Sequence, residues 1–160
     1  MTRPLPPASD RVREAAVGLG LAIEILEHHA PTRTAEEAAA ACGCEVAAIV
    51  KSLVFAGHQS GEPLLLLVSG ANRVDEALAG AEIGEAIIRP DGKAVRAWTG
   101  FAIGGIPPFG HARILKTYMD EDLLRHERVW AAAGTPSTIF PIDPHVLARV
   151  TGARVARLSG

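Results

Sequence analysis

Ile49-Val50-Lys51-Ser52-Leu53-Val54-Phe55, followed across a glycine- and proline-bounded turn at 57–63 by Leu64-Leu65-Leu66-Leu67-Val68, is the stretch on which the fold turns. Both runs are short, rich in aliphatic and β-branched residues, and closed off by turn formers, the pattern of two paired strands rather than a helix. Read with period two, Lys51 shares a face with Ile49, Leu53 and Phe55, and Val50, Ser52 and Val54 form the other. Both faces are largely apolar, so the first strand is expected to be covered on each side. A lysine in such a strand is costly unless its ammonium finds a partner or a cleft. It either snorkels from the strand end or presents a cation to an anionic or carbonyl-bearing ligand.

Outward from these strands, elements of both kinds alternate irregularly. Towards the N-terminus, Ser9 and the residues after it read as a capped amphipathic helix ending near Gly18 or Gly20, and 21–26 as a strand. Thr34-Ala35-Glu36-Glu37 is a capping box for an alanine-rich helix that Gly43 would end. Towards the C-terminus, helices are expected at 74–81, at 92–98 and from 119 to about 126, and strands at 114–118, 129–133 and 138–142. Asp143-Pro144 opens a last helix to about Val150, with proline at its first position. No strict βαβ alternation runs through the chain, which argues against a doubly wound parallel sheet. The expected fold class is α+β (mixed α/β), a mixed, barrel-like sheet surrounded by helices, in one domain over residues 1–160.

Composition narrows the function classes. With 160 residues and 48% hydrophobic residues, the chain can bury a core without metal or disulfide support. The start of the chain, 1–7, lacks the apolar core of a signal peptide, and the longest apolar run, 64–68, is far too short to span a bilayer. A soluble, cytoplasmic protein is expected. Cys42 and Cys44 sit too close together for a relaxed disulfide and have no second Cys/His cluster to complete a zinc site, so they are read as helix packing. The histidines form no metal-binding spacing, and no cofactor fingerprint appears; neither metal nor cofactor is expected. The net charge of −2 and the 4% aromatic content argue against general DNA or RNA binding. Between Arg89 and Lys116, however, Arg89, Lys93, Arg96, Arg113 and Lys116 are opposed only by Asp91, a local surplus that suits a few phosphates or an ordinary solvated surface.

The other unusual segment is Thr99-Gly100-Phe101-Ala102-Ile103-Gly104-Gly105-Ile106-Pro107-Pro108-Phe109-Gly110-His111. Adjacent glycines let a ligand approach the main chain, and Gly104, Gly105 and Ile106 keep their N–H donors while Pro107 and Pro108 stiffen the loop. A stiff loop with free donors meets the requirement for an oxyanion hole; by composition alone it reads better as a tight turn between elements. His111 at its end is a candidate base or phosphate contact, or a structural histidine. No nucleophile elbow is present, so covalent catalysis has no candidate.

Taken together, the Ile49–Phe55 stretch, Ser69-Gly70-Ala71-Asn72-Arg73-Val74-Asp75, the 99–111 loop and Phe140-Pro141-Ile142 with the last helix resemble the YbaK/ProX family of aminoacyl-tRNA deacylases, related to the editing domain of bacterial prolyl-tRNA synthetase. The resemblance runs over nearly the whole chain. It implies hydrolysis of the ester of a mischarged tRNA carrying a small amino acid such as Ala, Ser, Thr or Cys, without a metal or a protein nucleophile. It also implies a pocket for the aminoacylated 3′ end of tRNA, and a synthetase as a further partner. The candidate catalytic residues are Lys51, Gly104 and Gly105. The candidate substrate-binding residues are Asn72, Arg73, Thr99, Gly100, Ile106, Pro107, Pro108, Phe109, Gly110 and His111, with Phe109 able to pack either on the terminal adenine or inside the protein. The cysteinyl-tRNA deacylase branch often carries Cys after the double glycine, where this chain has Ile106, so that branch's preference does not transfer. The competing expectation is a non-catalytic tRNA- or synthetase-binding module of the same fold.

Overall fold

The computed structural model describes residues 4–160, so part of the stretch read for a signal peptide lies outside the described residues. The expected hairpin is its centre. β2 (Val50–Gly57) and β3 (Pro63–Ser69) pair antiparallel from Val50 opposite Ser69 to Ala56 opposite Pro63. The turn closes with Gly57 N–H donating to Glu62 O at 3.0 Å. β5 (Lys116–Asp120) runs parallel to β3, β8 (Arg154–Ala156) runs parallel to β5, and β4 (Ile87–Ile88) meets only the far end of β2. The order β4-β2-β3-β5-β8 gives a mixed five-stranded sheet whose middle strand, β3, is buried along its whole length. This explains why 64–68 reads as an unbroken apolar run: strands covered on both faces lose the alternation of half-exposed ones.

A second sheet, in the order β1-β7-β6, comprises β1 (Leu26–Glu27), β6 (Val129–Ala132) and β7 (Thr138–Ile142). One bridge, Ile49 with Trp130, joins the two sheets. The strands therefore form two sheets and do not close into a barrel, which corrects the barrel-like expectation. The physical reason is the short pairing at the seam: β2 leaves the second sheet after Ile49 and bonds to β3 instead.

Among the described residues, five α-helices surround the sheets: α1 (Pro7–Gly18), α2 (Ala35–Cys42), α3 (Glu76–Ile83), α4 (Gly92–Thr99) and α5 (Pro144–Thr151). Half of the expected capping box forms: Thr34 Oγ1 accepts from Glu37 N–H at 3.1 Å, while the Glu37 carboxylate accepts from Arg33 N–H at 3.0 Å, one residue before the cap, and Gly43 closes α2 in the left-handed region. Cys42 and Cys44 are both free and pack with Ala38, Ala39 and Trp130; burial pushes the Cys42 thiol up to about 11, so it stays protonated.

Three expectations shift. The strand expected over 21–26 shrinks to β1, because β7 offers partners only to Leu26 and Glu27; Leu21, Ile23 and Ile25 satisfy their alternation by packing on the core without a ladder. The helix expected from 119 is a 3-10 turn over Glu121–Arg125, since Met119 and Asp120 belong to β5. And α1 starts at Pro7, not after a Ser9 cap; proline suits the first helical turn, where its missing N–H costs nothing. Ser9 is instead fully buried, donating to Ala133 O at 2.7 Å and touching Thr138 Oγ1 at 3.0 Å. Among the described residues, no helix is long and apolar enough to cross a membrane.

The even-numbered residues Val50 and Val54 pack in the core with Phe109, Phe140, Met119 and Val12, whereas Leu53 and Phe55 pack on the other face with Tyr118, Ala79 and Leu158. The seam between the sheets is where the candidate site lies. Ser9 pins α1 to the β6–β7 turn there. Ser9→Ala removes a buried hydroxyl whose partners remain, and urea unfolding is expected to show a loss of about 1–3 kcal/mol with an unchanged slope.

Candidate functional site

A cavity of about 370 Å³ opens between the sheets. Its floor is the start of β2, from Ile49 to Leu53; β6 and β7 contribute Trp130, Ala132, Thr138 and Ile139; the N-terminal end of α2 and the segment 32–35 form one rim, and Ile103, Gly104 and Ile106 the other. Of the residues expected in the site, Lys51, Gly104 and Ile106 share this wall.

Lys51 is half-buried, and its Nζ donates a short hydrogen bond to the main-chain carbonyl of Asn72. Asn72 is itself clamped: its Nδ2 donates to Asp120 Oδ2 at 2.9 Å and to Asp122 Oδ2 at 2.8 Å. Asp120 is a buried carboxylate whose remaining capacity is taken by the N–H groups of Ser69 at 3.1 Å and Asp122 at 3.0 Å. A buried polar group satisfied by that many donors is a stable anchor. Burial holds the Lys51 pKa below the usual lysine range; Glu36 and Asp120 act against that shift, and Arg73 adds to it. The lysine is thus a desolvated cation with one main-chain partner, able to offer its other N–H bonds to a ligand.

The loop is held from below. Thr99 is buried, and its hydroxyl donates to Val95 O and accepts from Phe101 N–H at 3.0 Å. Gly100 caps α4, and Arg11 reaches across from α1 to donate to Gly100 O at 3.0 Å and to stack over the Phe101 ring at 4.6 Å. Pro107, Pro108 and Phe109 are buried, with the Phe109 ring 5.6 Å from that of Phe140. His111 Nε2 donates to Pro107 O at 2.7 Å, and burial pulls the histidine's pKa down. Gly110 closes the loop against Ala15 of α1. These residues anchor the loop outside the cavity, and Asn72 and Arg73 stand behind Lys51.

The double glycine divides its work. Gly104, at φ +99°, adopts a conformation that side chains disfavour and lies on the cavity rim. Gly105 N–H is used in the loop's own turn, donating to Ala102 O at 3.1 Å. Its Cα packs onto the β6–β7 turn so closely that a Cβ would fall 2.6 Å from Thr135 Cα and 2.7 Å from Gly134 O. Among the described residues, the N–H groups of Ile103, Gly104 and Ile106 make no protein hydrogen bond, so these three cavity-lining loop residues, and not Gly105, have donors left for a ligand.

Sequence reasoning missed Ser52 and His28, which line the same cavity and whose Oγ and Nε2 are buried without a partner. A serine in an otherwise apolar strand face was the available signal for the first; His28, between two short segments and in no motif, carried none. The basic stretch is also less free than its count suggests. Arg89 pairs with Glu76 and Arg113 with Glu62, while Arg33, from outside that stretch, lines the cavity. Among the described residues, no group of three or more His, Cys, Asp or Glu is placed to hold a metal ion.

This packing is open to two stability measurements. Gly105→Ala forces a Cβ into backbone and is expected to cost about 1–3 kcal/mol in urea unfolding. For His111, a folded-state pKa below the ordinary 6.5 means the unfolded chain takes up the proton first as pH falls. The wild type should therefore lose stability below about pH 6.5, down to the depressed pKa, and His111→Gln should remove that component; parallel stability curves for the two proteins would contradict the placement.

Residues 29–150 match the family described as the aminoacyl-tRNA editing domain. The chain is 47% identical to a solved structure described as "a putative trans-editing enzyme for prolyl tRNA synthetase", with a TM-score of 0.93 over 98% of this chain and 99% of that one. It is 28% identical to the structure of hypothetical protein APE2540, with a TM-score of 0.86 over 94% and 99% of the two chains. It also resembles uncharacterized protein YwhH of Bacillus subtilis (strain 168), at 27% identity over 82% of this chain and 83% of that protein. With the lysine strand, the glycine loop and the cavity between them in one frame, the family match extends over most of the chain: it belongs to the aminoacyl-tRNA editing domain family.

Proposed function

We propose that this chain is a trans-acting deacylase that hydrolyses the ester between a small, wrongly attached amino acid and the 3′ end of tRNA. The observation that carries this reading is the meeting of a desolvated lysine and two unused main-chain donors, Gly104 and Ile106 N–H, on the wall of one small cavity.

Ester hydrolysis needs a polarised carbonyl, a positioned water and a place for the negative charge that develops on the carbonyl oxygen. In this reading the aminoacyl group enters the cavity and its carbonyl oxygen turns to the N–H groups of Gly104 and Ile106. Lys51 holds the terminal ribose or the carbonyl from the opposite side, its direction fixed by Asn72. Water oxygen adds to the carbonyl carbon, the bond to the ribose oxygen breaks, and that oxygen leaves with a proton as the free 3′ end. Among the described residues, no Asp or Glu lines the cavity; a neighbouring ribose hydroxyl of the substrate serves as the proton relay in this reading. Gly105 serves by position: its missing side chain lets the loop lie on the β6–β7 turn. Arg33 on the rim and Arg73 behind the lysine are exposed cations suited to the phosphates of the acceptor end, and Ile103, 65% exposed, offers an apolar edge to its terminal base. A cavity of about 370 Å³ suits a small side chain. Such an enzyme would act in the cytoplasm, where tRNA is charged, as a single domain beside a synthetase.

The test is single-turnover hydrolysis of a panel of mischarged tRNAs by the wild type and by Lys51→Ala. The wild type is expected to cleave at least one ester well above its spontaneous rate, and the mutant to be slower by roughly two to three orders of magnitude, the scale of losing one charge-stabilising donor. Binding of the tRNAs without cleavage would instead identify a non-catalytic tRNA- or synthetase-binding module.

A further inference from the structure

The cavity meets β2 along its edge. Consecutive residues from Ile49 to Leu53 line it, although their side chains alternate between the two faces of the sheet. One cavity touches all of them only where it runs beside the main chain. Trp130 and Ala132 of β6 line it as well, and β6 is bridged to β2 at Ile49. The cavity is thus the gap that opens where β6 parts from β2.

That edge of β2 is open. Gly70 N–H donates to Ile49 O and Gly57 N–H to Glu62 O, so the odd-numbered residues of β2 turn their main-chain groups to β3. The even-numbered ones turn theirs to the opposite edge, where β4 pairs with Ala56 and, just past the strand, His58 N–H donates to Ala86 O. Between the bridge at Ile49 and the pairing at Ala56, Ser52 and Val54 meet no strand on that edge. Among the described residues, the N–H and C=O of Ser52 make no hydrogen bond. Burial follows the same outline, since 51–54 is the half-buried run of a strand whose other residues are buried. Ser52 keeps accessible surface although its Oγ is closed off, so what is accessible is its main chain and Cβ.

Main-chain groups inside a fold are nearly always paired, with protein, water or a ligand. What the rest of the wall offers decides which ligand group fits here. Lys51, Arg33 and the free N–H groups of Ile103, Gly104 and Ile106 are all donors. The hydroxyls are engaged within the protein: Thr32 donates to Pro136 O, Thr34 caps α2, and Thr135 and Thr138 bond to each other. Among the described residues, no carboxylate lines the cavity. An aminoacyl ester brings acceptors for the donors in its carbonyl and ribose oxygens. It also brings one group whose N–H bonds need an acceptor, the α-amine. Ser52 C=O is an unused acceptor turned to the gap, one residue and about 3.3 Å along the strand from Lys51.

We propose that the open edge of β2 is the amine subsite, with Ser52 C=O accepting a hydrogen bond from the α-amino group of the bound aminoacyl ester. This rests on the deacylase reading and adds a requirement which that reading does not make, a free amine on the substrate. With the amine on β2 and the carbonyl on the loop, the acyl group is held at two points across the cavity, which fixes its orientation before water adds.

Two measurements test this. In the first, kcat/KM is read for one tRNA carrying an alanyl ester and for the same tRNA carrying a propionyl ester, which lacks the amine, each relative to its spontaneous hydrolysis. Alanine is used because a cavity that takes a larger side chain also admits its methyl. In the second, non-hydrolysable alanyl- and propionyl-adenosine 3′-amides are titrated into protein labelled with carbon-13 at its carbonyl carbons. The alanyl ester is expected to be favoured by roughly 10–100-fold, and the alanyl amide to bind more tightly by a similar factor. The Ser52 carbonyl resonance should move downfield with the alanyl amide and stay in place with the propionyl one. Equal rates and affinities for the paired ligands, or amine-dependent binding with the Ser52 carbonyl unmoved, would overturn the proposal and leave the deacylase reading standing. Cleavage of no ester in the mischarged panel would remove the deacylase reading, and the two amides would still decide the amine subsite. Binding of neither amide would overturn it.

Discussion

The bond from the Lys51 ammonium to the carbonyl of Asn72 is the constraint around which the site is organised. A lysine at the third position of an apolar stretch would be a liability if it had nothing to hold. Here the carbonyl that receives it belongs to a residue whose own side chain is gripped by Asp120 and Asp122. Asp120 in turn sits at the end of β5, parallel to β3, so the two strands that build the sheet also fix the anchor. The charge pattern is uneven: Asp120 and Asp122 hold the Asn72 anchor, Glu36 acts on the lysine from the first turn of α2, and among the described residues no carboxylate lines the cavity itself. A cation supported from the rear and open to the front is poised for an electron-rich ligand.

The loop answers the lysine from the far wall by a different device. Its stiffness comes from buried prolines, a buried threonine and an aromatic contact, all outside the cavity, and its reactivity from N–H groups, Gly104 and Ile106 among them, that this scaffold leaves without work. Preorganised donors of this kind need no rearrangement when charge develops, which is why they contribute more than flexible ones. Gly104 and Gly105 are thereby required for separate reasons, one for its backbone angle and the other for the space its missing side chain leaves.

Much of this is legible in the residues. The hairpin around Lys51, the capping box at Thr34, the last helix behind Asp143-Pro144 and the unusual character of the 99–111 loop all rest on local signals, and local signals survive in the fold. The features that are not legible depend on contacts distant in sequence. Ser9 has the chemistry of a helix cap but faces Ala133 and Thr138, more than a hundred residues away. Leu21, Ile23 and Ile25 alternate as a strand does, yet no partner strand reaches them. The separation of the sheets depends on where β2 changes partner, and no residue type announces that. In the site, Gly104 and Gly105 look alike in sequence and differ only through the β6–β7 turn beneath them, and His28 joins the cavity through the pairing of β1 with β7.

The central claim is that Gly104 and Ile106 N–H, facing Lys51, receive the ester carbonyl. Amide proton and nitrogen shifts of the labelled protein, titrated with a non-hydrolysable aminoacyl-adenosine 3′-amide, test it most directly. The Gly104 and Ile106 amide protons are predicted to move downfield as the ligand saturates, with Gly105, already bonded to Ala102, staying in place. Saturation with Gly104 and Ile106 unmoved, or with Gly105 as the resonance that shifts, would contradict it.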